Sequence, residues 1–208
     1  LMASLSQGFM VGMYIMGLTL TLPLVGFALL TAVFLTVGYS FIGAAWLIWK
    51  TEGALQERSI TWAKGGIWGL VLGIVAISMA TPFVSVRIFD KWFSWPEMLY
   101  LSPLPVLSVA LVGFLWWKLS RLPFAQDRWA WTPFAAAIGL FSLAYGGMAY
   151  SFYPYVVPEK ITIYDAASAP ESLFIILLGT IFVLPAILGY TVLSYYIFRG
   201  KATVLRYD

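Results

Sequence analysis

Six long stretches of the chain, about residues 1–18, 23–49, 65–86, 98–117, 129–153 and 172–198, contain no Asp, Glu, Lys or Arg. A bilayer core is crossed by roughly 20 consecutive apolar residues in a helix. A charge at mid-membrane costs roughly 2.5 to 3.5 kcal/mol on insertion scales. Lipid offers no water to bond backbone amides, so a lone crossing segment satisfies them internally, as a helix. The stretches therefore predict six spans in an all-α, polytopic transmembrane helix bundle, one membrane domain over residues 1–208. Composition agrees: 62% of the chain is hydrophobic and only 10% charged, whereas a soluble domain carries about 25% charged residues. A water-soluble fold is excluded.

The loops then set the orientation. Lys50, Arg58 and Lys64 follow the second span, Lys118, Arg121 and Arg128 the fourth, and Arg199, Lys201 and Arg206 the sixth. Those nine cations face three, Arg87, Lys91 and Lys160, in the alternate loops. The positive-inside bias makes the nine-cation face cytoplasmic, and with it the C-terminus. The same bias accounts for the net charge of +3, so no nucleic-acid partner is implied. Trp46, Trp49, Trp62, Trp68, Trp116, Trp117, Trp129 and Trp131 flank the expected cytoplasmic ends, with Trp92 and Trp95 on the other side. They read as interfacial belts.

Gly65, Gly69 and Gly73 recur every four residues in the third span, and Gly8 with Gly12 repeats that spacing in the first. Such spacing predicts close helix packing. Pro185 lies inside the last span, where a lost backbone hydrogen bond predicts a kink. Ser168 and Glu171 have capping-box spacing just before that span.

Chemistry is sparse. The chain has no cysteine and no histidine, which removes disulfides, thiolate sites and the usual haem ligands. No catalytic, cofactor-binding or metal residue is assigned, and any redox centre is expected on a partner. Met10, Met13 and Met16 read as packing residues. Most intramembrane hydroxyls are expected to bond their own helix. Gln7 stands out, because a mid-helix amide wants several partners: a neighbouring helix or subunit, a quinone head group or a water chain. The loop from Pro154 to Pro170 carries Glu159, Lys160 and Asp165 and reads as solvated or as a docking surface. Asp165, Ser168 and Glu171 are taken as structural or interfacial polar groups near the start of the last helix. A secondary transporter subunit is the alternative reading, but it calls for intramembrane charge or paired half-repeats, and the spans lack both. A membrane-embedded lipid enzyme lacks the histidine or cysteine to build its site.

Four segments then converge. The run FYPYVVPEKITIYDAASAPESL, Phe152 to Leu173, resembles the outer loop of cytochrome bd-type quinol oxidase subunit II, the family that includes the cyanide-insensitive branch. LPAILGYTVLSYYIFRGK, Leu184 to Lys201, resembles its last helix and basic exit. GYSFIGAAWLIWKTEGALQERS, Gly38 to Ser59, resembles its fourth helix and the K-T-E-G turn, and SQGFMVG, Ser6 to Gly12, a glutamine-glycine segment of its third. The family begins with two further helices, so the chain resembles the last six of eight, and the link from Thr19 to Leu22 is shorter than the family's. The resemblance implies a haem-free subunit in the bacterial plasma membrane. Its partner would be subunit I, which holds haem b and haem d, or b-type haems, and the quinol site. Small accessory subunits, membrane lipid or quinone are further implied partners. The implied reaction is quinol oxidation coupled to reduction of oxygen to water, with generation of proton-motive force.

Overall fold

The computed structural model describes residues 1–84, 86–122 and 129–201, the side chains of 81–84 excepted. Its elements are α1 (Met2–Ile15), α2 (Leu22–Lys50), α3 (Gly53–Val84), α4 (Val86–Phe93), α5 (Glu97–Leu101), α6 (Pro103–Ser120), α7 (Thr132–Phe152), the strands β1 (Tyr155–Val157) and β2 (Ile161–Thr162), and α8 (Pro170–Ile197). Among the described residues, five helical stretches are long and apolar enough to cross a membrane: Leu22–Lys50, Gly53–Ala80, Glu97–Ser120, Thr132–Phe152 and Pro170–Ile197.

The first apolar stretch behaves differently. It forms only the 14 residues of α1, about 21 Å of helix at 1.5 Å per residue. Its end is set by local chemistry. The Leu18 N–H donates to Met13 O at 2.9 Å and the Gly17 N–H to Tyr14 O at 3.0 Å, a Schellman closure. Gly17 occupies the left-handed position with φ 63, where a side chain is disfavoured.

α2 is the central element and packs against α1, α3 and α7. Its antiparallel contact with α1 is backbone to backbone. A Cβ at Gly8 would lie 2.5 Å from Ala32 Cα, and one at Gly12 would lie 2.6 Å from Ala28 Cα. No other residue has room at those two positions, as the glycine spacing predicts. The α3 contact keeps Gly69 and Gly73 of the expected register and replaces Gly65 with Gly66. Gly66, Gly69 and Gly73 face Phe41, Val37 and Phe34, whereas nothing lies within 4 Å of a Cβ at Gly65.

A buried cluster then joins four helices through Phe41, Ile48, Ile67, Leu115, Leu119 and Leu140. Met13 and Met16 pack with Phe27 and Ala28 in a second cluster. Hydroxyls at membrane depth bond their own helices: Thr31 Oγ1 donates to Phe27 O at 2.9 Å, Ser108 Oγ to Leu104 O at 2.9 Å and Thr191 Oγ1 to Ile187 O at 2.8 Å.

Contacts also separate the charges by end. Lys50 Nζ donates to Arg199 O at 3.0 Å, Lys201 Nζ lies 3.8 Å from Glu52 Oε1, and Lys64 Nζ reaches Leu122 O at 3.5 Å. Arg87 and Lys91 instead meet the far end of α7. Arg128 and Arg206 lie outside the described residues.

α8 touches the rest of the chain at the cation-rich end, where the Tyr195 ring centre is 5.8 Å from that of Trp46. None of its residues is buried, and the helix continues through Pro185. Its start corrects the expected capping box. The N-cap is Ala169, without a side-chain cap. Pro170 takes the first helical position because its φ suits the helix and its missing N–H would go unbonded there. Ser168 is thereby left outside the helix, out of the register a capping box needs.

Candidate functional site

Side-chain hydrogen bonds that join separate elements gather where the segment after α7 meets α4 and the end of α1. This end is built on the C-terminus of α7, whose last carbonyls have no partner within the helix. Two cations on α4 supply partners. Lys91 Nζ donates to Tyr150 O at 2.8 Å and to Tyr153 O at 2.7 Å, and Arg87 Nη1 donates to Ser151 O at 3.3 Å. Positive charge is favourable at this pole of the helix. Burial, followed by the charge of Arg87, lowers the Lys91 pKa, which Glu97 partly restores.

The sequence places both cations on one face. Arg87 and Lys91 are four residues apart in VRIFDKWF, with Ile88 buried and Trp92 following. Trp92 Nε1 donates to Ser151 Oγ at 2.8 Å, and Ser151 Oγ donates to Gly147 O at 2.6 Å. Trp92 is therefore a packed, hydrogen-bonded residue, unlike the belt reading, while Trp95 is exposed.

β1 and β2 form an antiparallel hairpin with Tyr155 opposite Thr162 and Val157 opposite Ile161. Three contacts tie it down. The Tyr14 hydroxyl donates to Val156 O. A Cβ at Gly17 would lie 2.9 Å from Pro158 O, so the α1–α2 turn rests on the hairpin tip. Arg87 stacks 5.0 Å from the centre of the Tyr155 ring. Arg87 Nε also lies 3.7 Å from Glu159 Oε1, an ion-pair distance too long for a hydrogen bond.

Asp165 closes the segment by an unexpected route. Its Oδ2 accepts from Thr162 Oγ1 at 2.6 Å and from the Thr162 N–H at 3.2 Å, while its own N–H donates to Thr162 Oγ1 at 3.2 Å. The Ala166 N–H adds a bond to Thr162 O at 3.0 Å. This is the reciprocal arrangement of a capping box, set at Thr162–Asp165 instead of Ser168–Glu171. The hydroxyl bond, then the amide bond, holds the Asp165 carboxyl below its ordinary range.

The four polar positions singled out by sequence are not brought together. Ser168 and Glu171 are exposed beside the start of α8. Gln7 is exposed on α1, and its side chain makes no hydrogen bond among the described residues. Asp165 alone is built into a hydrogen-bonded unit. The sequence reading counts Arg87 and Lys91 only as loop cations, and it does not single out Thr162, Tyr14 or Ser151. The Thr-x-x-Asp spacing and the i,i+4 cation pair were the available signals.

No three His, Cys, Asp or Glu side chains among the described residues are grouped to hold a metal ion. Haem iron is held axially by His, Cys, Tyr or a Met paired with His; the chain has no His or Cys, and Met13 and Met16 pack in the second cluster. The arrangement holds a loop in place. In comparisons with known proteins, the family model for cytochrome bd terminal oxidase subunit II matches residues 1–198. No curated protein sequence matches the chain.

Proposed function

The chain belongs to the cytochrome bd terminal oxidase subunit II family, and from that premise we propose that it is the haem-free subunit of a quinol-oxidising terminal oxidase. The match over residues 1–198 carries this reading. The haem-bearing subunit I would hold haem b with haem d, or b-type haems, and would carry the quinol site. Oxygen would be reduced to water with protons from the cytoplasm, quinol protons would leave on the other side, and proton-motive force would follow without a pumping residue in this chain. The charge-free spans support that division of labour, because proton relays through a membrane use ionisable side chains.

In this reading the chain covers and braces the partner bundle in the bacterial plasma membrane, with its C-terminus in the cytoplasm. The exposed Gln7 is its proposed polar contact with subunit I, membrane lipid or quinone. Small accessory subunits are compatible with the exposed length of α8. The experiment is purification through a tag on this chain, followed by a reduced-minus-oxidised visible spectrum. The expected result is a haem spectrum from the complex and no Soret band from the isolated polypeptide. A stoichiometric Soret band in the isolated chain refutes the haem-free assignment. A haem-free complex refutes the oxidase role.

A further inference from the structure

A recess of about 300 Å³ opens between α3 and α6 at the cation-rich end, lined by Lys64, Ile67, Trp68, Trp116, Leu119 and Ser120. Its surfaces are graded. Ile67 and Leu119, 2% and 1% exposed, make an apolar floor, and the indoles of Trp68 and Trp116, 61% and 57% exposed, stand beside it. Lys64 and Ser120 supply the polar lining.

The donors here are underused. Lys64 Nζ has one long contact, 3.5 Å to Leu122 O, and no carboxylate among the described residues pairs with it. An ammonium carries three donors, so two remain. Neither indole N–H has a partner among the described residues. Ser120 Oγ donates to Trp117 O at 2.8 Å and keeps its lone pairs. Arg121, packed 4.6 Å over the Trp117 ring, and Lys118, 5.0 Å from it, add positive potential at the same end. An apolar floor with indole walls and an ammonium that has no carboxylate partner among the described residues matches an acyl chain that leads to an anionic head group.

We propose that this recess is a binding site for an anionic phospholipid, with its phosphate on Lys64 and the indole N–H groups and one acyl chain on the Ile67–Leu119 floor. The site rests on the chain's membrane location and needs neither haem nor subunit I, so its failure and that of the oxidase reading are distinguishable.

Native mass spectrometry of the full chain, with whatever co-purifies, tests it by adding phosphatidylglycerol or phosphatidylcholine with the same acyl chains. Retention of the first phosphatidylglycerol should exceed that of phosphatidylcholine by about five-fold, the factor one interfacial cation supplies. Lys64→Gln should remove the preference and Lys64→Arg should keep it. Equal retention of the two lipids by the unaltered chain overturns the proposal, as does an undiminished preference in Lys64→Gln. If Lys64→Gln does not give folded protein, Trp116→Leu replaces it. That variant should lower phosphatidylglycerol retention, and unchanged retention overturns the site.

Discussion

Replacing Gly8 with alanine tests how the bundle is held at α1. The added Cβ would sit 2.5 Å from Ala32 Cα and 3.0 Å from Thr31 O, both backbone atoms that no rotamer change can move. Bringing the shorter contact to the 3.4 Å of ordinary packing requires 3.4 − 2.5 = 0.9 Å of helix separation. A gap of 0.5 to 1 Å forfeits about a quarter to a half of each dispersion contact. Dispersion is the main attraction between helices in lipid, where no hydrophobic force supplements it. Overpacking of this kind costs about 1 to 3 kcal/mol. Alanine also gains up to about 1 kcal/mol of helix propensity over glycine, so the net effect at Gly8 is destabilising. At Gly26 and Gly43 of α2, where nothing lies within 4 Å, the propensity term stands alone and alanine should be neutral or stabilising. The assay is the thermal midpoint of the detergent-solubilised protein, read as loss of its monodisperse gel-filtration peak. Gly8→Ala and Gly12→Ala should lower the midpoint, while Gly26→Ala and Gly43→Ala should hold or raise it. Indistinguishable midpoints for the two groups would refute the close-packed α1–α2 contact.

Four further outcomes are expected. Asp165→Asn and Thr162→Ala should each lower the yield of assembled complex while leaving quinol oxidation per haem nearly normal; normal assembly with turnover down by about a hundred-fold would place Asp165 on a proton or quinol path instead. Because hydrogen bonds from Thr162 depress the folded pKa of Asp165, its contribution is complete above the ordinary carboxylate value of about 3.9 and is lost only as pH falls through the lower folded value, so protease protection of the loop should not change between pH 5 and 8. Lys91→Gln should expose the 150–165 segment to protease, since one ammonium serves both Tyr150 O and Tyr153 O, and unchanged cleavage would remove the clamp. Reporter fusions after Arg58, Arg121 and Lys201 should read cytoplasmic and one near Glu159 external, and a reversed pattern overturns the orientation.

The spans were legible because lipid makes one demand, the absence of charge, and residues 23–49 and 172–198 meet it over their whole length. Helix ends were less legible for the same reason. Met16, Leu18 and Leu20 are as apolar as the helix they follow, so hydropathy carried the first span to residue 18, although Gly17 already marked the stop. The glycine register held at Gly69 and Gly73 and departed at Gly65, for a geometric reason. At about 100° per residue, positions four apart drift by about 40°, so Gly65 and Gly73 are about 80° apart around the helix, while Gly66 and Gly73, seven apart, differ by only about 20°. A seven-residue spacing identifies the packed face better than two four-residue steps. The reading of the loop from Pro154 to Pro170 found the right device in the wrong place. Ser168–Glu171 and Thr162–Asp165 both offer capping-box spacing, and Pro170 decides between them by fixing the helix start one residue after Ala169.

α8 shows where sequence reasoning stops and why. Its residues are exposed on every side, yet in lipid this carries no penalty, because bilayer chains solvate Leu, Ile and Phe as well as a protein interior does. A soluble helix of this composition would have to be buried, and its periodicity would then name the buried face. Here uniform apolarity removes the period, and with it any pattern from which a neighbour could be inferred. What locates α8 is its polar exit, where Lys50 holds the Arg199 carbonyl, Lys201 pairs with Glu52, and Tyr195 meets Trp46. In this chain the few charged residues therefore carry most of the positional information. They fix the ends of helices whose membrane-embedded lengths are nearly interchangeable in composition. The same logic sets Arg87 and Lys91 against the end of α7 and leaves Lys64 as the cation without a protein counter-charge among the described residues of the recess.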